Sequence, residues 1–465
     1  MKRIYLTSLL IISIGFSYAN NIQLANVSLG GQNTASQFSL INFDLSWENS
    51  WRTITNEANY DGAWIFAKFR KKSSNTWQHA TLNATGFTAP ANSYIKTSAD
   101  GKGAWLYRNL PGSDFTGNVN YTGAKIQWNY GVDGVLNSDS VEIRVFAAEM
   151  VFVTAGTYRL GSGGAEINRF FEGSSNNPYN VASEGTITVA NTATNLYYSS
   201  NGFGGDLGGP IPANFPKGFN GYWIMKYEAS QQQYVDFLNN IDVARANNRY
   251  TAGVYIGVHP NLIAPFPERA AGSMNIPDHL AFSDWAGLRP FTELEYEKAS
   301  RGFNQVATPN EYAWGNTTIV PTSAVTNAGL ENETANNGNA NYNVGIGRPL
   351  RTGTYATATS NRQQSGSTYY GAMEMSGNLY EISVSVGNVA ARAFTNVNGD
   401  GNLDVNGDAN VATWPTVSTG YSLRGGAHND VEVPLRTSDR NTGIYTAGYA
   451  TRSALFGIRL ARTAE

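Results

Sequence analysis

The chain has 465 residues, a formal net charge of -3, 41% hydrophobic and 14% charged residues, and no cysteine. That length and apolar content suit roughly two or three domains with substantial cores and exclude a disordered chain. The near-balanced charge leaves no basic footprint for nucleic acid, and the absence of cysteine removes disulfides and thiolate chemistry alike.

At the start, Lys2 and Arg3 precede a mostly apolar run over residues 4–16, and Ser17 and Ala19 place small residues where a signal peptidase needs them. Residues 1–19 therefore read as a signal peptide, with a mature chain from Asn20 that is exported to the periplasm, the cell surface or the medium. No later stretch approaches the ~20 apolar residues of a membrane span.

Over residues 20–148, short runs of alternating apolar and β-branched residues recur at 38–47, 62–69, 104–110, 125–130 and 140–147, separated by Gly, Asn, Ser and Asp. This spacing predicts an all-β sandwich. Alternation along a strand puts Trp64, Phe66 and Lys68 on one face and Ile65, Ala67 and Phe69 on the other, so both faces need cover. Trp47, Trp51 and Trp64 are expected in the core, the alternative being an exposed aromatic platform for sugars.

The character of the sequence changes at Glu149, which places a border between 20–148 and 149–465. Residues 163–220 are rich in Gly, Asn and Ser and read as long surface loops, too long to be wholly structureless unless they form an insertion. Two helices are predicted. One runs from Ser230, a candidate N-cap, to Ile241, with Tyr234, Phe237 and Leu238 at the spacing of a buried stripe. The other starts at Thr292, whose partner Glu295 completes a capping-box pattern, and runs to Arg301.

Several motifs follow in a fixed order: YWIMKYEASQQQY at 222–234, GLRPFTELEYE at 287–297, YAWGN at 312–316, GAMEMSGNLYE at 371–381, LRGG at 423–426 and FGIRL at 456–460. A Gly-Asn-x-aromatic-Glu turn, then Arg-Gly-Gly, then Gly-Ile-Arg-Leu resembles the signature of the formylglycine-generating enzyme (sulfatase-modifying factor) family. The resemblance covers about the last two thirds of the chain. It implies a C-type-lectin-like α+β fold for residues 149–465, in which two helices brace a small irregular sheet.

The resemblance also implies two calcium sites, calcium being an ion that takes oxygen ligands from carboxylates and backbone carbonyls. The second would fall on Glu374, Gly377, Leu379 and Glu381; the first on Asn327, Ala328, Asn341 and Asn343, with Asn341 standing where the family has an acid. The other reading of Glu381 is a buried carboxylate capping backbone N–H groups. Residues 396–408 also resemble a calcium loop, but the twelfth position is Gly407 and supplies no bidentate carboxylate, so a plain Gly/Asn turn remains open.

Formylglycine-generating enzymes follow the two glycines with a Ser and two copper-binding Cys; here Ala427, His428, Asn429 and Asp430 follow instead. That activity is not expected, nor is a copper site. The four histidines, His79, His259, His279 and His428, form no His-x-x-x-His pair, so no iron site is expected. His428 near Asp430 and Asp439 is the one arrangement suggestive of acid–base work, against a plain reading as a loop histidine bonded to backbone.

In related C-type-lectin-like proteins, including the variable proteins of diversity-generating retroelements, the passage after Arg-Gly-Gly forms the ligand-binding face. His428, Asn429, Asp430, Asp439, Asn441 and Tyr445 are accordingly expected to line a surface for a glycan or a protein. The sequence thus predicts an exported binding or surface-structural protein with a non-catalytic domain of this family, the alternative being an enzyme of the same family with another activity.

Overall fold

A computed structural model of the chain describes residues 22–109, 112–343, 345–357 and 359–465. The expected signal peptide, and Leu110 at the end of one predicted strand, lie outside these. The first strands are β1 (Gln23–Asn33), β2 (Phe38–Arg52), β3 (Asp61–Lys71), β4 (Gln78–His79), β5 (Ser93–Thr97), β6 (Ala104–Arg108), β7 (Phe115–Trp128) and β8 (Val141–Val153). Next come the short strands β9 (Tyr158–Leu160), β10 (Phe170–Glu172), β11 (Tyr179–Val181), β12 (Leu196–Tyr198) and β13 (Tyr222–Met225).

Four helices follow: α1 (Gln231–Leu238), α2 (Val243–Asn248), α3 (Ile276–Trp285) and α4 (Glu293–Arg301). The last strands are β14 (Val325–Thr326), β15 (Thr334–Ala335), β16 (Glu381–Val384), β17 (Tyr421–Arg424) and β18 (Ala461–Thr463). The described chain is mostly β, with few and short helices.

A seven-stranded sheet in the order β18-β13-β8-β3-β6-β5, with β4 on β3, is the wall on which both halves of the chain are built. One face of β3 turns Ile65, Ala67 and Phe69 into a core shared with Ile41, Phe43 and Trp47 of β2 and Tyr121 and Trp128 of β7, which with β1 form a three-stranded sheet. The two sheets thus face each other over one core, the β-rich arrangement that the alternation predicted. The opposite face turns Trp64 and Phe66 toward the helices, where Trp285 of α3 packs edge-on against Phe66 at 5.0 Å. Trp64 donates its indole N–H to the Ala286 carbonyl at 2.8 Å. Trp47 and Trp64 are therefore core residues, and Trp51 is half-buried with its indole bonded to Asn59.

β8 carries the chain from one half to the other. It pairs with β3 from Lys71↔Val141 to Asp61↔Val151, and its last residues also pair with β13 from Met225↔Met150 to Tyr222↔Val153. The border expected at 148/149 falls inside this strand, which crosses without leaving the sheet.

Both predicted helices form and start at the caps their sequences suggest, although α1 ends at Leu238, with Asn239 as its C-cap, rather than at Ile241. Ser230 accepts from the Gln233 N–H while the Gln233 side chain accepts from Ser230, and Thr292 and Glu295 do the same for α4. Sequence periodicity missed α3 because all ten of its residues are buried, which leaves no polar stripe. The 163–220 passage is in part ordered: β9 pairs β11 and β10 pairs β12, and Phe170, Val181, Leu196, Tyr198 and Ile211 enter the main core.

Candidate functional site

The C-terminal passage hangs on a buried ionic framework built from α4. Arg424, the last residue of β17, reaches Glu293 at 3.3 Å and Glu297 at 2.9 Å, and donates to the Thr437 carbonyl at 2.7 Å. Arg440 grips both oxygens of Glu293 at 2.6 and 2.9 Å, while Arg301 holds Glu297 at 3.1 Å and Glu311 at 2.5 Å. All of these side chains are buried, so each charge depends on its partner. Burial alone would raise the Glu297 pKa, but Arg301 and Arg424 outweigh it and hold the carboxyl below its ordinary range.

The two glycines after Arg424 serve the same scaffold. Both adopt left-handed backbone, and a Cβ on Gly426 would stand 2.5 Å from Leu435 Cδ1. Leu435 is one of the residues that seat the returning chain.

From this framework the chain runs over the surface. His428 is buried, its backbone N–H donating to the Asn378 carbonyl at 2.9 Å and its ring Nδ1 without a partner among the described residues. Burial lowers its pKa despite Asp430 nearby. Asp430 is half-buried and accepts from Ala427 N at 2.8 Å, and its own carbonyl accepts from Asn343 N at 2.7 Å. Asp439 is buried, with one oxygen accepting from Asn441 N at 3.0 Å and the other without a partner among the described residues; burial pushes its carboxyl up to about 6. Asn429 and Asn441 are exposed, and Tyr445 is half-buried with its ring edge-on to Phe456 at 5.3 Å.

Tyr380 gathers several of these residues. Burial, then Asp430 and Asp439, raise its hydroxyl pKa, and its ring meets Phe456 at 6.5 Å. Sequence reasoning named neither Tyr380 nor Phe456 as a site residue. The signal for Tyr380 was its aromatic place in the Gly-Asn-x-aromatic-Glu turn. Two cavities, of about 120 Å³ beside Arg289 and Glu295 and about 80 Å³ beside Tyr227 and Arg351, are lined by none of the residues from 428 to 445.

The turn from 374 to 381 is tightly wound, with Glu374, Gly377 and Asn378 all at positive φ. Glu374 accepts from Gly353 N at 2.8 Å through one oxygen, and Glu381 accepts from Arg459 Nε at 2.6 Å through one oxygen. Among the described residues the second oxygen of each is buried without a partner, as is the side-chain oxygen of Asn341. Among the described residues no hydrogen bond reaches the Gly377 or Leu379 carbonyl.

Glu228, which sequence reasoning did not single out, caps this turn. One oxygen accepts from Leu379 N at 2.9 Å and the other from the Asn378 amide. Three acids are thus buried around one arginine. Burial, then Glu381, pushes the Glu228 carboxyl well above its ordinary range; burial raises Glu381 as well, and raises Glu374 to about 7.

Two unpartnered carboxylate oxygens and two free carbonyls fit the oxygen-rich donor set calcium takes. Among the described residues no group of three or more His, Cys, Asp or Glu side chains stands ready to hold a metal, so such a site would rest on two side chains and the backbone. The residues proposed for a first site are placed differently. Asn327 and Ala328 lie in an exposed turn, Asn343 is exposed, and buried Asn341 donates to the Asn378 side chain and the Arg348 carbonyl, each at 3.0 Å. Of these, Asn341 alone joins the second turn.

The 396–408 loop closes on itself. Asp400 accepts from Asn402 N at 2.8 Å, Asp404 accepts from Asn406 N at 2.8 Å and Asp408 N at 2.9 Å, and Asp408 pairs with Arg249 at 2.9 Å. Buried Lys68 of β3 donates to the Gly401 carbonyl at 2.9 Å, docking the loop on the central sheet. These are the bonds of the Gly/Asn turn reading.

Comparison with known proteins agrees with the motif order. No curated protein matches the chain. Residues 138–464 match the sulfatase-modifying factor enzyme 1-like domain, so the match takes in β8 from before its start and leaves β1 to β7 as a preceding β-rich region. A match over more than half the chain, together with the Arg-Gly-Gly and Gly-Asn-x-aromatic-Glu geometry, means that the protein belongs to the sulfatase-modifying factor (formylglycine-generating enzyme) family.

Proposed function

We propose that this is an exported binding or surface-structural protein whose family domain, of C-type-lectin-like fold, has given up catalysis and recognises a glycan or a protein through His428, Asn429, Asp430, Asp439, Asn441 and Tyr445. The observation that carries the reading is the contrast along one passage. Arg424, Gly425, Gly426 and Arg440 keep a buried scaffold, while along the passage they position Asn429 and Asn441 stand exposed and Asp430 and Tyr445 half-buried, with His428 and Asp439 buried behind them. A rigid frame presenting mixed polar and aromatic groups is how adaptable binding surfaces gain hydrogen bonds at low conformational cost. The chain contains no cysteine with which to bind copper or oxidise a substrate thiol. Calcium held by Glu374, Gly377, Leu379 and Glu381 would neutralise the buried carboxylates just beneath this surface and brace it.

A glycan array and a pull-down with the full chain test the reading. Binding that is lost on combined substitution of Asn429, Asp430 and Asn441 by Ala, with the fold intact by circular dichroism, is the expected result. Binding that survives the triple substitution places the site elsewhere. Turnover of a small molecule would instead support the alternative, an enzyme of the same family with another activity.

A further inference from the structure

The central sheet buries a second charged group outside the proposed binding face. Lys226, just past β13, donates to Glu149 Oε2 at 2.9 Å and Asp61 Oδ2 at 3.2 Å, and all three side chains are at most 1% exposed. Glu149 lies on β8, between the strand that carries Asp61 and the strand that precedes Lys226. The surroundings are aromatic: the ammonium sits 4.9 Å from the Trp51 ring and 5.3 Å from the Tyr227 ring.

The Asp61 carboxylate is aimed and polarised. Its Oδ1 accepts from Ser50 Oγ at 2.7 Å and Trp51 N at 3.2 Å, and its Oδ2 from the Trp47 indole at 2.9 Å. Fixed donors on a carboxyl oxygen stabilise the negative charge that builds there when a nucleophile adds to the carbon. Among the described residues Glu149 Oε1 has no partner, and burial, tempered by Lys226, pushes this carboxyl up to about 8, so it carries its proton at neutral pH. Burial pulls the Lys226 pKa down, but Glu149, Tyr227 and Asp61 outweigh it and raise it, so Lys226 rests as an ammonium between Asp61 and Glu149.

We propose that Lys226 and Asp61 join in an amide cross-link, with Glu149 as the acid–base group that moves the protons. The ammonium gives one proton to Asp61 Oδ2, and the freed Nζ adds to Asp61 Cγ while Oδ1 keeps the Ser50 and Trp51 donors. Glu149 protonates Oδ2, which departs as water as the Cγ–Oδ2 bond breaks, and takes one proton from Nζ. Ammonium plus carboxylate become amide plus water, and Glu149 ends as it began; no oxidant or cofactor enters. Nζ already stands 3.2 Å from Asp61 Oδ2, one bond away from the carbon it attacks. Conversion of a desolvated ion pair to a neutral amide removes buried charge. The cavity of about 80 Å³ lined by Asn49 and Tyr227, both touching Lys226, is large enough to take the released water.

Such a bond would tie the β-rich region to the family domain, since Asp61 precedes the matched residues and Lys226 lies within them. Its ends are 165 residues apart in a chain without disulfides, so the unfolded state would lose a long loop's freedom.

The test is the mass of the purified, denatured full chain and of its proteolytic fragments. The expected result is a chain lighter by one water than its Lys226→Arg variant after allowance for the substitution, with a branched peptide containing Asp61 and Lys226. Glu149→Gln is expected to restore the water while the protein remains folded. A full, unmodified mass, or a water loss that maps to other residues, overturns the proposal.

Discussion

Two groups of buried charges in the family domain use the same residue types and end differently. Around α4, Arg301, Arg424 and Arg440 meet Glu293, Glu297 and Glu311, so every carboxylate has a guanidinium within hydrogen-bonding reach. Around the 374–381 turn, Glu228, Glu374 and Glu381 share Arg459, whose Nε bonds only Glu381, with Arg351 acting on Glu374 from farther out. The first group is electrically complete. The second carries an excess of acid, which raised pKa values record and which protonation or a bound cation would relieve.

The largest effect is expected where charge is balanced. Glu293→Ala strands Arg440 and weakens Arg424 in the core, and is expected to destabilise the protein by about 3–5 kcal/mol by urea unfolding, equally with calcium or chelator. A loss below about 1 kcal/mol would mean that the framework is not the anchor of the C-terminal passage.

In the unbalanced group the response should depend on the ion. Calcium at a hundredfold excess over Kd raises stability by about 2.7 kcal/mol when only the native state binds it. Chelation is therefore expected to lower the melting temperature, and Glu381→Ala to abolish that response. A melting curve indifferent to chelator would leave protonation as the means of relief, with Glu381 held by Arg459 rather than capping backbone N–H groups.

A smaller, pH-dependent effect sharpens the same contrast. Glu374 is raised from 4.5 to about 7 in the folded state, chiefly by burial, so between these values the native chain holds a proton that the unfolded chain has released. Stability is expected to fall as pH rises through that window and to level off above it, with a slope of at most about 1.4 kcal/mol per pH unit per proton. Saturating calcium should flatten the slope, because a coordinated carboxylate is already ionised. An unchanged slope with calcium would show that the ion does not reach Glu374.

The sequence alone was enough wherever the determining chemistry is local. Alternation along 64–69 assigned Ile65, Ala67 and Phe69 to one core and Trp64 and Phe66 to another. Ser230 with Gln233 and Thr292 with Glu295 marked two helix starts, because a cap is a bond between residues three apart. The order of short motifs around Arg424, Gly377 and Arg459 identified the family, since each motif meets a local backbone or pairing demand.

Tertiary structure alone decided the rest. α3 is buried on every side, so it carries no stripe to read. β8 belongs to both halves because its neighbours are β3 and β13, which come from distant parts of the chain. Glu228 caps a turn some 150 residues away, and Lys226 finds Asp61 across 165. Periodicity and caps act through the backbone nearby, whereas charge pairing acts through space, and only the folded sheet sets which charges share a dry interior.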